Sequence, residues 1–414
     1  MTPSSPLHAF AGYGIELEYM IVDRASLSVV PIADKLLGAA GGGTGQQMEH
    51  GSLAWSNELV LHLIELKNTR PSAGFEPLVP AFQKEIRHLN HLLGAWDAKL
   101  MPAAAHPWMD PRVETRLWPH HDADIYAAYD RIFNCRQHGF ANLQSMHVNL
   151  PFADDAEFAR LHAAVRLALP ILPALAASSP IVDGRRSGFL DFRMQAYRFH
   201  QARIPASLGQ IVPDTVASRG DYERRVLKPM YRDADALDPE GVLRHEWFNA
   251  RGAIPRFDRQ AIEIRVIDVQ ECPWADLAIA AALIGVLKGL YTGASAPLDA
   301  QQRIATLPLA QIMHACIRDA EEAVIGNPEY LGLLGFPAGR AKAGELWQHL
   351  IATAFPEGPD EIWREPLQVI LRQGPLARRI LRTVGPSCTR SRLYAVYAEL
   401  CRCLEDGRLF LGLE

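Results

Sequence analysis

Charged side chains recur on segments that are otherwise apolar and strand-like. Glu16 and Glu18 lie in Gly14-Ile-Glu-Leu-Glu18, Glu58 and Glu65 in the run from Glu58 to Lys67, and His147 in Ser145-Met-His-Val-Asn149. Arg251 and Arg256 fall between Asn249 and Arg256, and Glu263 precedes Arg265 by two residues. An ionised group on a buried or half-buried strand is costly unless it is paired, hydrogen-bonded or bound to a metal. Strand alternation sends Ile15, Leu17 and Tyr19 to one face and Glu16 with Glu18 to the other. Adjacent carboxylates repel and raise a pKa unless a cation lies between them, and hard oxygen donors suit a magnesium-type ion. A lone Glu-x-Glu strand also fits a solvated sheet face. Five such segments in one chain point instead to a shared site.

The Glu263-Ile-Arg265 strand sets a carboxylate and a guanidinium on one face, either as a plain salt bridge or as a metal ligand beside a phosphate ligand. Arginine suits the second task because its planar fork makes two charge-assisted hydrogen bonds to one phosphoryl group. Zinc fits less well. There is no His-Glu-x-x-His, and the close pairs His88/His91 and His120/His121 read as surface or packing residues. Gly41-Gly-Gly-Thr-Gly45 lacks the lysine of a phosphate loop and reads as a flexible loop. Neither a Ser-His-Asp nor a Cys-His signature stands out.

The elements that must carry these residues follow from hydrophobic periodicity. One strand ends at Asp23, and Glu58 to Lys67 reads as a second. Leu78, Phe82, Ile86, Leu89, Leu93 and Trp96 predict a helix from Phe75 to Leu100. Residues 125–139 read as helical. Another helix starts at Asp154, is kinked by Pro170 and Pro173, and is interrupted by Ser178-Ser-Pro180. Residues 183–260 read as mostly irregular and arginine-dense, with Arg185, Arg186, Arg193, Arg198 and Arg203 in the first part. A strand over 261–269, a helix from Pro273 to Leu290 and several amphipathic helices over 308–405 complete the chain. The expectation is one α+β unit, with residues 1–300 catalytic and 301–414 a helical C-terminal portion packed on it.

The chain has 414 residues, 49% of them hydrophobic, with a net charge of −5. Such a chain can bury a large core, and it carries no general pull toward nucleic acid or an anionic membrane. No leader-like segment opens the sequence, and the longest apolar stretch, Ala278 to Leu287, is short of a membrane span. A cytoplasmic protein without membrane or nucleic-acid partners is expected. The six cysteines have no C-x-x-C spacing and read as reduced structural thiols. Sheet edges make a homo-oligomer plausible.

Over residues 12 to 290 the chain resembles glutamate-cysteine ligase family 2, which includes bacterial carboxylate-amine ligases of glutamine-synthetase-like fold. The resemblance is carried, in order, by Gly14-Ile-Glu-Leu-Glu18 with Asp23, Glu65-Leu-Lys-Asn68, His106-Pro107 and Met146-His-Val-Asn149. Ser178-Ser-Pro180 through Gly184, Gly188-Phe189, Arg193 and the block from Asn249 to Asp268 follow. It implies a largely antiparallel sheet flanked by helices. It also implies ATP-dependent amide formation between a small carboxylate, glutamate first, and an amine, through an acyl phosphate. By similarity Glu16, Glu18, Glu58, Glu65, His147 and Glu263 would surround two or three Mg²⁺ ions. Arg251, Arg256 and Arg265 would contact the nucleotide phosphates, and Glu65, Arg256 and Arg265 would be catalytic. Phosphoryl transfer to a nitrogen acceptor, or a silent nucleotide-binding regulator, would use the same fold. Relatives carry a second histidine and a glycine where Ser145 to Asn149 keeps one histidine. The segment Gly209 to Asp214 reads either as a turn or as part of the substrate pocket.

Overall fold

A computed structural model describes residues 6–42 and 47–413. Gly43 to Gly45 of the glycine-rich run lie outside the described residues. The eight strands of the main sheet are β1 (Gly14–Asp23), β2 (Gln47–His50), β3 (Leu53–Asn57), β4 (Leu63–Asn68), β5 (Ala98–Met101), β6 (Ser145–Pro151), β7 (Ala253–Arg256) and β8 (Ala261–Asp268). Their order is β2-β3-β4-β1-β6-β8-β7, every pairing antiparallel, with β5 joined to the second half of β1. This is the antiparallel α+β architecture that the sequence implies.

Alternation does the sorting. Ile15, Leu17, Ile64, Leu66, Met146, Val148, Ile262 and Ile264 are all buried on one face and join the main hydrophobic core. The polar residues between them share the other face. Register then brings Glu18 opposite Glu65, and Glu16 opposite both Lys67 and His147. A bulge between Ile264 and Ile267 shifts the β6–β8 register beside Arg265, a common device for re-aiming a side chain at a site.

Two predicted elements differ. The run Glu58 to Lys67 is not one strand: β4 begins only at Leu63, and residues 58–62 form the connection from β3, held across to Leu117 through Val60. The helix read over Phe75 to Leu100 is α1 (Leu78–Leu93) plus a short 3-10 turn, and its last residues are β5. Gly94 and a left-handed Asp97 end the helix, which frees Ala98 to Met101 to pair with β1.

The remaining long helices are α2 (Ala123–Phe133), α3 (Asp155–Ala168), α4 (Pro273–Thr292), α5 (Thr306–Asp319), α6 (Ala343–Ala354), α7 (Glu361–Gln373), α8 (Leu376–Val384) and α9 (Arg390–Asp406). Asp154 caps α3 through the backbone N–H groups of Ala156 and Glu157, and Pro170 follows its end in a 3-10 turn. Helix α4 is apolar on all sides, long enough by composition to cross a bilayer, and 67% of that stretch is buried. It packs against α3, α6, α7 and α1, as a central core helix does. Helix α9 lies on β5 and α1.

Three histidines lie within this packed frame. His62 donates its Nε2–H to Ala141 O, His106 donates its Nε2–H to Leu27 O, and neither ring nitrogen of His162 has a hydrogen-bond partner among the described residues. Burial lowers their pKa values to about 4 for His62 and about 3 for His106 and His162. Their folded pKa values are thus below the ordinary 6.5, so their contribution is intact above pH 6.5 and is lost as pH falls toward 4 and 3. The loss amounts to about 1.4 kcal/mol per pH unit for each histidine. The urea midpoint should therefore drop clearly between pH 7 and pH 5. An unchanged midpoint would mean that the folded protein protonates these rings freely.

Candidate active site

A cavity of about 560 Å³ opens over the polar face of the sheet, lined by Glu16, Glu18, Glu58, Glu65, Lys67, His147, Arg256, Glu263 and Arg265 among others. A larger cavity of about 890 Å³ beside α4 and α6 is mostly apolar and holds none of these residues. The smaller one carries the convergent ionisable groups that mark a site of chemistry.

Each member is fixed by its strand. Glu16 accepts from His147 Nδ1 at 2.9 Å and from Asn149 Nδ2 at 3.1 Å. Glu18 accepts from the backbone N–H of Ser145 at 2.7 Å and from its hydroxyl at 2.8 Å. Glu65 is held by Ser56 Oγ at 2.7 Å and Lys67 Nζ at 2.6 Å. Glu263 receives Arg265 Nε at 2.5 Å and Arg256 Nη1 at 3.3 Å. Two sets of donor atoms, Glu16/His147/Glu263 and Glu18/Glu65/His147, each lie within 4.8 Å of one another.

The electrostatics follow from this crowding. Burial works against the Glu16 carboxylate, but the hydrogen bond and charge of His147, with Lys67 and Arg265, outweigh it and lower its pKa. Burial likewise opposes charge on His147, yet Glu16, Glu18 and Glu263 raise its pKa to about 9. Glu65 is pushed up by burial and by Glu16, against Lys67 and Ser56. Burial, Glu18 and Glu65 together push Glu58 well above the carboxylate range. Crowded carboxylates with raised pKa values are the condition that a bound cation relieves.

Two expected residues behave differently from the rest. Glu58 comes from the β3–β4 connection and belongs to neither three-residue donor set. Arg251 is outside the residues lining this cavity; it pairs with Asp214 at 2.7 Å and donates to Ala206 O. It lies over Gly209, whose φ of 54° and close guanidinium leave no room for a Cβ. The segment Gly209 to Asp214 is accordingly a turn backing Arg251 and not part of the cavity wall.

The structure adds residues to which the sequence assigned no role in the site. Arg193 is 2% exposed, and its Nε is held by Asp268 at 2.5 Å. Its Nη1 donates to Arg265 O, while Nη2 has no hydrogen-bond partner among the described residues. This guanidinium lines the cavity with Tyr126, Tyr129, Tyr197 and Trp247. In the sequence it was legible only as one of the residues that carry the family resemblance, since its short helix Phe192–Tyr197 lies in a segment read as irregular. Lys67 was legible as the i+2 neighbour of Glu65 on the same strand face.

Comparison with known proteins bears on this geometry. The model of glutamate-cysteine ligase family 2 matches residues 13–321. A protein of Archaeoglobus fulgidus named only as uncharacterized is 32% identical over 404 residues, covering 96% of this chain and 100% of its own length. A Bradyrhizobium diazoefficiens protein, "Putative glutamate--cysteine ligase 2", is 25% identical over 277 residues, which is 65% of this chain and 57% of that protein. The chain thus spans little more than half of that relative. Among solved structures, the glutamate–cysteine ligase of Francisella tularensis in complex with AMP superposes with a TM-score of 0.60 at 13% identity, over 95% of this chain and 88% of that one. A bifunctional glutathione synthetase of Pasteurella multocida gives 0.64 at 11%, over 96% and 53%. At these identities the two structures share the fold.

Proposed function

Because this chain belongs to glutamate-cysteine ligase family 2, we propose that it joins a small carboxylate, glutamate first, to an amine at the expense of ATP, through an acyl phosphate. The observation that carries this reading is the alignment of Glu65, Glu16 with Glu18, His147, and Glu263 with Arg265 along one face of the adjacent strands β4, β1, β6 and β8.

The donor chemistry fits divalent cations: Glu16 with Glu263 would hold one and Glu18 with Glu65 another, with the one imidazole lone pair of His147 serving either ion but not both at once. Magnesium bound there would neutralise phosphate charge and so let a carboxylate approach it. Arg265 and Arg256, both anchored on Glu263, offer their remaining N–H groups to phosphoryl oxygens. Arg193, steadied by Asp268 and lining the cavity, would offer its guanidinium to the carboxylate of the donor that does not react. Glu58 lines the cavity with no direct arginine or lysine pair among the described residues, and a cation bound beside it would offset the repulsion of Glu18 and Glu65 and free its carboxylate to take the proton that the amine sheds on attack.

Arg193→Lys keeps the charge but loses the fork. It should raise KM for the donor carboxylate by about 10- to 100-fold and leave KM for ATP near its original value. Equal changes in both constants would remove Arg193 from donor recognition.

The direct test is phosphate release from ATP and Mg²⁺, screened over glutamate and other carboxylates paired with a panel of amines, with products identified by mass. Release that needs both acid and amine and yields an amide supports the ligase. Consumption of ATP with a phosphorylated nitrogen product would replace it by a phosphotransferase, and nucleotide binding without turnover by a regulatory protein.

A further inference from the structure

Lys67 occupies a place that its neighbours make unusual. It faces Glu16 in the β1–β4 register and follows Glu65 by two residues, so its side chain emerges among the carboxylates. Its ammonium is 2.6 Å from Glu65 Oε1, with the side chain 27% exposed. Burial disfavours the charge, but Glu65, Glu16 and Glu58 together more than compensate and raise the pKa of Lys67.

The other cations of the cavity are engaged elsewhere. Arg256 and Arg265 both lie on Glu263, His147 lies on Glu16, Arg193 lies on Asp268, and Arg259 lies beside Asp258. Among the described residues, Lys67 is the one lysine or arginine paired with Glu65. Glu65 is also one of the donors that a divalent ion would use with Glu18 and His147. An ion entering that group meets an ammonium already seated on one of its ligands.

Lys67 stands at a junction as well. With Glu16 it lines both the cavity described above and a second one of about 570 Å³, bordered by Asn68, Arg70, Asn149 and Arg259. A ligand reaching from one cavity into the other passes this ammonium.

We propose that Lys67 is a resident cation that competes with the divalent ion for Glu65 and, once displaced, gives its N–H groups to the phosphoryl group in transfer. Its second half rests on the ligase reading; its first half does not. No bond to Lys67 forms or breaks. The ammonium keeps its three protons and donates hydrogen bonds to phosphoryl oxygens while the phosphorus passes from the ADP oxygen to the donor carboxylate. An empty site is thereby kept near neutrality without a metal, and metal entry frees the lysine only when the ion is in place.

The test uses the full chain and Mn²⁺, whose free concentration is read by electron paramagnetic resonance without nucleotide. Lys67→Met should bind Mn²⁺ at least about tenfold more tightly than the original protein, while phosphate release falls about 100-fold. Lys67→Arg should return Mn²⁺ affinity to the original level. A generally damaged site would weaken both metal binding and turnover, so the opposite signs are diagnostic. Mn²⁺ binding that is unchanged or weaker in Lys67→Met, with Lys67→Arg no different from it, overturns the competition. Tighter binding with undiminished phosphate release overturns the phosphoryl contact. If the original protein releases no phosphate with any substrate, the ligase reading falls, and the Mn²⁺ comparison still decides the competition.

Discussion

Glu263→Gln should lower carboxylate- and amine-dependent phosphate release by about 10³-fold, about 4 kcal/mol of barrier. Glutamine keeps the size and an acceptor oxygen, so what is lost is one negative charge. That charge anchors Arg265 at 2.5 Å and Arg256 at 3.3 Å, and its oxygen is 3.9 Å from His147 Nδ1. Arg265 lowers the pKa of Glu263 against the effect of burial, which keeps the carboxylate ionised where a cation needs it. Without it, two guanidinium groups lose their common anchor and the Glu16/His147/Glu263 donor set loses a charged ligand. Release should be measured at saturating ATP, Mg²⁺ and both substrates, alongside a urea midpoint that separates lost chemistry from lost folding. A folded variant retaining activity within about tenfold would sink the assignment of Glu263 to the reacting centre.

Glu271→Ala should destabilise the fold by about 3 to 5 kcal/mol. Glu271 is fully buried and Arg379 is 2% exposed, and the two form a two-pronged pair between the end of β8 and helix α8. The same groups clamp the C-terminal tail: Arg379 Nη1 donates to Phe410 O at 2.7 Å, and Phe410 N donates to Glu271 Oε1 at 3.1 Å. Removing the carboxylate leaves a guanidinium buried without its counter-charge, which costs more than the pair contributes. Replacing both partners by apolar residues, Glu271→Leu with Arg379→Met, should regain much of the loss, because no stranded charge remains. The urea midpoints of the single and double variants decide the matter. A single variant within about 1 kcal/mol of the original would show that water reaches this pair.

The two sites differ in how far they could be read from the chain. The members of the catalytic cluster announce themselves as charged residues on alternating apolar strands, because an isolated carboxylate there has no other outlet. Glu271, Arg379 and Phe410 carry no such local mark, and their partners are 108 and 139 residues apart. The misread strand at Glu58 and the misread helix end at Leu100 have a similar origin. Leu59 to Leu63 is apolar enough for a strand, but its backbone groups turn instead to Arg116 and Leu59 pairs with Trp118. Ala98 to Met101 continues an apolar pattern that a helix would also accept, until β1 offers a free edge.

What the sequence determined by itself is therefore what backbone geometry decides within one element. Period two sets Glu16 beside Glu18, Glu65 beside Lys67, and Glu263 beside Arg265, whatever surrounds them. The apolar run Ala278 to Leu287 yields the core helix α4. Tertiary structure alone decided the strand order that brings Glu18 opposite Glu65 and His147 opposite Glu16, the bulge beside Arg265, and the exchange of Arg251 for Arg193 at the cavity. Those choices depend on which distant backbone groups find partners and which apolar faces meet. No stretch of chain contains that information alone, because the free energies that settle it belong to contacts between elements.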